Sequence, residues 1–166
     1  MATMSTTMAS IRHSFNLAKK CKDLIYFVED DYIHKNEALT EMLFAYEKFC
    51  SIFQSEIFIL STDYPYLYKK MNNTSILIGE NIHWRSVNES LLTFMTSKKM
   101  IEKYFEKLID MATNKSDPFE KNLHEIYEQE KCLSPIPSLS VHCTNVNSVF
   151  GISPNLNIKK LWDENK

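Results

Sequence analysis

Three consecutive carboxylates, Glu29, Asp30 and Asp31, directly follow the apolar run from Leu24 to Val28, and this pattern constrains the fold more than any other feature of the chain. Five residues that suit burial predict an inner strand of a sheet, and an open α/β sheet binds ligands where its strands end. Adjacent carboxylates raise each other's pKa values unless a positive charge lies between them. A divalent cation would supply that charge, because Mg²⁺ and Mn²⁺ favour carboxylate oxygens. The alternative is that the acids face solvent or cap the next helix.

The composition is that of an ordinary globular domain. Its 166 residues are 44% hydrophobic and 24% charged, with a formal net charge of −2, so the chain has no general attraction to nucleic acid or anionic membranes. No apolar run approaches the roughly 20 residues of a membrane span. Residues 1–10 lack the basic start and apolar stretch of a secretory signal. We therefore expect a cytoplasmic protein without a nucleic-acid partner.

Apolar spacings of three and four residues, typical of helices, alternate along the chain with short apolar runs that are typical of strands. This alternation predicts an α/β fold. Residues 76–87 and 91–95 are expected to pair as an antiparallel hairpin through 88–90. The predicted elements are a helix over 5–22, a strand over Leu24–Val28, a helix capped by Asn36 and ending near Phe53, a strand over Glu56–Leu60, a turn over Asp63–Tyr66, the hairpin, a helix opened by Ser97, a helix opened by Asp117 and Pro118 with Glu120 three residues after the cap, and a short strand around Leu139 and Val141.

Four segments in order along the chain carry a family resemblance. They are Tyr26–His34 with the acid triplet, Asp63-Tyr64-Pro65, His83-Trp84-Arg85 with Thr93-Phe94-Met95, and residues 135–142. Together they resemble a bacterial group, similar to family 2, of nucleotide-sugar glycosyltransferases with the GT-A fold. The resemblance implies a mixed sheet flanked by helices, corresponding to the C-terminal portion of a GT-A fold, with residues 1–166 as a single domain.

The chain departs from this family at its beginning. A complete enzyme of the family starts with a strand–helix–strand half that holds the base and the ribose, whereas here the acid triplet follows a single helix. The resemblance therefore implies an N-terminally truncated, incomplete domain, either a fragment or a chain with a half-built nucleotide pocket.

The resemblance also implies roles for residues of the acid triplet. Asp31 matches the acid that ligates Mn²⁺ or Mg²⁺, and Glu29 or Asp30 matches the acid that contacts the sugar nucleotide. His142 matches a histidine that completes the metal site, and imidazole suits Mn²⁺ as well as zinc. The alternative for His142 is a structural histidine held by a hydrogen bond.

An acceptor site is the second expectation. Trp84 and Arg85, with His83, match a sugar-stacking and anion-binding platform, and Asp63 and Tyr64 are expected to line the same cleft. The alternative is that Trp84 packs in the core. Side chains alternate along a strand, so His83 and Arg85 would then face solvent.

The remaining expectation concerns a general base. Asp117 is the candidate base for an inverting transfer, although a helix N-cap explains it equally well. A retaining transfer needs no such base, so the stereochemistry stays open.

Two other function classes fit the same residues. One is a metal-dependent phosphohydrolase or nuclease that uses the acid triplet with His142. The other is a catalytically inactive partner that binds through aromatic surface, covered in a homodimer. For the transferase, the expected partners are a nucleotide-sugar donor and a glycan, lipid or other hydroxyl acceptor.

Overall fold

The strands form one six-stranded mixed sheet and a separate two-stranded ribbon in the computed structural model, which describes residues 2–69, 73–114, 118–144, 146–147, 151–153 and 155–166. The elements are α1 (Ala2–Ala18), β1 (Leu24–Phe27), β2 (Tyr32–His34), α2 (Ala38–Phe53), β3 (Phe58–Leu60), a 3₁₀ helix (Pro65–Lys69), β4 (Ile76–Ile78), β5 (His83–Ser86), β6 (Phe94–Ser97), α3 (Lys98–Lys103), α4 (Phe105–Met111), α5 (Lys121–Tyr127), β7 (Cys132–Ile136), β8 (Ser140–His142) and α6 (Ile158–Glu164). The sheet has the order β1-β6-β3-β7-β5-β4, and β2 pairs with β8. Strands β3 and β7 run parallel, whereas the other paired strands run antiparallel.

Helices cover both faces of the sheet, which confirms the predicted α/β class. Alternation along β3 and β6 turns Phe58 and Phe94 towards α1, α3, α4 and α5, and turns Ile59 and Met95 towards α2. Each of these side chains is almost fully buried, and burial of such a group contributes about 1.5–3 kcal/mol. Within the described ranges, no helix is long and apolar enough to cross a membrane.

The helix starts agree only in part with the predicted caps. Ser97 caps α3 as predicted, because its Oγ accepts a hydrogen bond of 3.3 Å from the backbone N–H of Met100. The cap of α2 was placed wrongly, since the N-cap residue is Glu37 rather than Asn36 and its side chain makes no cap bond. Helix α5 begins at Lys121, three residues later than the predicted first position.

The place of β1 in the sheet corrects the expectation of an inner strand. Among the described residues, β1 pairs only with β6, so it lies at the edge of the sheet. The apolar run arises because α1 covers one face of the strand through Ile25 and Phe27, while Leu24 and Tyr26 pack on the α2 side. Because both faces of β1 are covered, its sequence is as apolar as that of an inner strand, although β1 lies at the edge of the sheet.

The predicted hairpin of residues 76–87 with 91–95 is wrong. The antiparallel pair lies within the first segment, where β4 pairs with β5, and β6 pairs with β1 and β3 instead. Gly79 marks the turn, because a Cβ at this position would come within 2.3 Å of the carbonyl oxygen of Ile82. Apolar residues lie on both sides of this turn, and for this reason the sequence pattern predicts one continuous strand over residues 76–87.

A small third layer closes the C-terminal end of the chain. Leu156 and Leu161 pack on Val141 in the β2–β8 ribbon. The side-chain amide of Asn165, at the end of α6, donates a 3.0 Å hydrogen bond to the backbone carbonyl of His34. Helix α6 therefore holds the ribbon that carries His142.

Candidate metal and donor site

Backbone pairing brings Asp31 and His142 to the same place. The chain turns at Asp30 and Asp31 and enters β2, where Tyr32 lies opposite His142 of β8. The backbone N–H of Cys143 donates a 2.7 Å hydrogen bond to the carbonyl of Asp31. Two segments that are distant in sequence are therefore held in register beside the end of β1.

The side chains of Asp31 and His142 contact each other directly. The Nε2 atom of His142 lies 2.8 Å from Oδ2 of Asp31, and the two side chains are 14% and 29% exposed. The imidazole stacks on the ring of Tyr32 with centroids 4.9 Å apart. Its buried Nδ1 has no hydrogen-bond partner among the described residues. The stack and the hydrogen bond together fix the ring with Nε2 towards Asp31.

This geometry fits one carboxylate and one imidazole on an octahedral cation. Two cis ligands, each about 2.1 Å from such an ion, lie roughly 3.0 Å apart, close to the separation of Nε2 and Oδ2. Within the described part of the chain, no group of three or more His, Cys, Asp or Glu side chains could hold a metal. Mg²⁺ is usually held by one or two carboxylates together with substrate phosphates. Asp31 and His142 would therefore supply two of the ligands of such an ion and leave its other positions to groups outside this pair.

Two half-buried carboxyl groups lie next to this pair. Burial, together with the nearby charges of Asp31, Glu120 and Asp30, raises the pKa of Glu29 to about 7. Burial likewise raises the pKa of Glu120. Glu120 was missed as a site residue, because its position three residues after an N-cap acid already explained it. The cluster therefore holds excess negative charge that a cation would offset.

A groove of about 800 Å³ runs along α1 and β1 to the acid triplet. Its walls include Ile11, Phe15 and Ile25, and its end is formed by Glu29, Asp30 and Asp31. A cavity of this size fits a ligand as large as a nucleotide sugar. The acid triplet thus lines a space large enough for a small-molecule ligand.

Two residues without a predicted role also lie near the site. The hydroxyl of Tyr26 lies 2.6 Å from Nε2 of His34. Burial raises the pKa of Tyr26 to about 12 and lowers the pKa of His34. The hydroxyls of Tyr32 and Tyr64 are 2.8 Å apart. These hydrogen bonds connect β1 with β2, and β2 with the segment after β3.

Asp63 and Arg85 form a buried ion pair, and Arg85 also lines a groove of about 800 Å³. Both Nε and Nη2 of Arg85 donate to Oδ1 of Asp63, at 2.9 and 2.6 Å. The hydroxyl of Tyr68 donates to the other carboxylate oxygen, and the guanidinium lies 4.5 Å above the Tyr68 ring. The expectation that Arg85 faces water in a packed strand is therefore wrong.

The other residues of the predicted acceptor site differ in exposure. Trp84 is fully buried against the α2 side of the sheet, and Tyr64 is also fully buried, whereas His83 is exposed. Packing accounts for Trp84 and Tyr64, so acceptor contact stays a prediction. Asp117, the candidate base, lies outside the described residues.

Comparison of the chain with protein-family models, with curated proteins and with solved structures gave no match.

Proposed function

We propose that the protein is a metal-dependent glycosyltransferase that moves a sugar from a nucleotide-diphosphate donor to an acceptor hydroxyl. The observation that carries the proposal is the 2.8 Å contact between Asp31 and His142 beside the end of β1. Carboxylate and imidazole are ligands that Mn²⁺ accepts, and the end of a strand is where α/β sheets bind ligands. The proposal includes a cytoplasmic location and a glycan, lipid or other hydroxyl acceptor.

We assign metal binding and donor contact to different residues of the chain. Asp31 and His142 would hold Mn²⁺ or Mg²⁺ through a carboxylate oxygen and Nε2. An ion held there would supply positive charge to offset the charge that develops on a diphosphate leaving group. Asp30 is exposed and Glu29 is half-buried at the end of the groove, so both are placed to contact the ribose or the sugar.

An inverting transfer also needs a base for the acceptor hydroxyl. Asp117 remains one candidate, and Glu120 is a second, since its raised pKa brings it nearer to neutral pH, where a general base works best. Glu120 lies close enough to Glu29 for its charge to raise the pKa of Glu29. Both carboxyl groups thus belong to one cluster.

The free outer edge of β1 supports an incomplete domain. In the family resemblance, a strand–helix–strand half precedes the acid triplet, and a strand from such a half would pair on this edge. Within the described chain, β1 pairs only with β6. The groove of about 800 Å³ beside β1 is then the part of the donor pocket that this chain builds.

Thermal unfolding with Mn²⁺ and a panel of nucleoside diphosphates tests the proposal. A nucleotide at about 100 times its Kd adds roughly 2.7 kcal/mol, which corresponds to about 5–10 °C for a chain of this length. We expect this stabilisation only when metal and nucleotide are both present, because the chain supplies only two ligands. Asp31→Asn and His142→Gln should each abolish it.

Matched substitutions elsewhere serve as controls. Asp23→Asn and His13→Gln change the same residue types at exposed positions and should leave the stabilisation intact. Hydrolysis of a phosphodiester in place of sugar transfer would assign the site to a phosphohydrolase. An unchanged melting temperature with every nucleotide and metal would favour an inactive binding protein and overturn the transferase.

A further inference from the structure

A small cavity of about 260 Å³ lies between β2 and the end of α6. Strand β2 forms one wall, and the other wall consists of Trp162 on α6 with Asn165 and Lys166 after its end. Tyr32 of β2 lines the cavity and also stacks on the ring of His142, with centroids 4.9 Å apart. The cavity and the candidate metal pair are therefore connected through one residue.

The outer edge of β2 presents main-chain groups to this cavity. The backbone N–H of Lys35 donates a 2.8 Å hydrogen bond to the carbonyl of Leu139, so the main-chain groups of Lys35 face the β8 side. This orientation alternates along an antiparallel strand, and the groups of Tyr32 and His34 therefore point away from β8. The side-chain amide of Asn165 fits this direction, because it donates a 3.0 Å bond to the carbonyl of His34. The outward N–H and C=O of Tyr32 are thus placed to hydrogen-bond a ligand.

Trp162 adds an exposed aromatic ring to the same cavity. Of the two tryptophans in the chain, Trp84 is fully buried, whereas Trp162 is 54% exposed. An indole ring combines a broad apolar face with one polar edge. Its face stacks on the C–H groups of a sugar ring, while the hydroxyls of that ring both donate and accept hydrogen bonds. An indole face beside outward main-chain N–H and C=O groups therefore suits a pyranose.

Charge and size favour a single sugar over other ligands. Lys166, on the cavity wall, lies 2.8 Å from Asp163, so its charge is already offset and attracts a phosphate only weakly. Strand β2 has three residues, and Asn165 already bonds one of its outward carbonyls, which makes this edge too short to pair with an extended peptide. A volume of about 260 Å³ is smaller than the roughly 300–1,000 Å³ of sites for drug-sized ligands. It fits one ring rather than a nucleotide.

We propose that the cavity between β2 and α6 binds one sugar ring, stacked on Trp162, and that this sugar belongs to a glycan acceptor. The role as acceptor rests on the proposed glycosyltransferase function, whereas the binding of the sugar does not. Tyr32 and His142 are paired across the β2–β8 ribbon, so the same ribbon carries the sugar site and one candidate metal ligand. The inference selects a glycan among the acceptor classes.

Quenching of tryptophan fluorescence by iodide, without metal or nucleotide, tests the sugar site. Iodide reaches the exposed Trp162 and not the buried Trp84. The probes are the methyl glycosides of glucose, galactose, mannose and N-acetylglucosamine. At least one of them should protect Trp162 from iodide, with a Kd of about 1–10 mM for so small a ligand. Trp162→Phe should remove the quenchable emission together with its protection.

Titration of the same glycoside by nuclear magnetic resonance gives an affinity that does not depend on fluorescence. Trp162→Ala removes the stacking face and should raise the Kd by about tenfold or more, whereas Trp162→Tyr keeps an aromatic ring and should stay within about fivefold of wild type. Phe44→Ala is the matched control, because it removes an exposed aromatic ring of α2, and should leave the Kd unchanged. Circular dichroism checks that each variant is folded.

The sugar site and the transferase function can fail separately. Thermal stabilisation by Mn²⁺ and a nucleoside diphosphate without binding of any glycoside would overturn the sugar site and leave the transferase proposal standing. Glycoside binding without that stabilisation would overturn the acceptor role together with the transferase. Protection of Trp162 by inorganic phosphate and by no glycoside would overturn the sugar site, as would equal weakening by Trp162→Ala and Phe44→Ala.

Discussion

Nε2 of His142 lies 2.8 Å from Oδ2 of Asp31, although 111 positions separate the two residues in sequence. The contact depends on the short β2–β8 ribbon, which α6 holds in place through Leu161 and Asn165. Asp31 follows β1, whereas His142 lies on a strand outside the main sheet. The site therefore requires correct packing of the C-terminal layer as well as of the sheet.

The first prediction concerns Glu29 and pH. Its folded pKa of about 7 lies above its ordinary value of 4.5, so the folded state binds more protons between these values and stability falls as pH rises from about 4.5 to 7. Glu29→Gln should remove this loss and raise the free energy of unfolding at pH 8 by about 1–2 kcal/mol, after allowance for solvent screening. At pH 4 the variant and wild type should be equally stable.

Urea unfolding at pH 4 and pH 8 in the presence of EDTA measures the difference. Glu47→Gln, at an exposed position of α2, is the control and should leave the free energy of unfolding unchanged at both pH values. An equal effect of Glu29→Gln at the two pH values would contradict a raised pKa.

The second prediction concerns the buried ion pair. Arg85→Met should lower the free energy of unfolding by about 3–5 kcal/mol, because it leaves the carboxylate of Asp63 buried without its charged partner. Asp63→Leu combined with Arg85→Met removes both charges and should recover a large part of that loss. Lys98→Ala removes an exposed pair with Glu102 and should cost about 0.5 kcal/mol or less. If Arg85 served acceptor binding alone, the single variant would be as stable as wild type.

Local sequence patterns predicted the elements whose apolar spacing is regular. Helix α2 and strand β1 follow their predicted positions closely, and Ser97 caps α3 as expected. The pairing of strands was harder to predict, because a run of apolar residues does not specify its neighbour. For this reason β1 was placed inside the sheet, and the turn at Gly79 was overlooked within residues 76–87.

The candidate site was predicted through the family resemblance rather than through local pattern. No spacing rule connects Asp31 with His142, because β2 is only three residues long and its partner β8 lies near the other end of the chain. Glu120 was missed because a capping pattern already explained its residue type. Burial and neighbouring charge, which no local pattern reveals, distinguish Glu29 and Glu120 from other acids on the surface.

The last prediction concerns the ring that supports His142. Tyr32 stacks on the imidazole and also shares a hydrogen bond with Tyr64. Tyr32→Leu removes both contacts, so the imidazole loses its fixed orientation, and Mn²⁺-dependent nucleotide binding should weaken by about 10–100-fold, as for other residues that orient metal ligands. Tyr32→Phe keeps the stack and should retain binding within a few-fold.

Tyr64→Phe is the matched control, since it removes the same hydrogen bond from the opposite side and leaves the stack intact. Tyr32→Phe should lower the free energy of unfolding by about 1–3 kcal/mol, because it removes the hydrogen bond from the buried hydroxyl of Tyr64. Tyr64→Phe should cost less, because Thr93 also hydrogen-bonds the hydroxyl of Tyr32. Titration calorimetry with Mn²⁺ and the nucleoside diphosphate that stabilises the wild type measures the affinities. If Tyr32→Leu and Tyr64→Phe weakened binding equally, the hydrogen bond rather than the stacked ring would position His142.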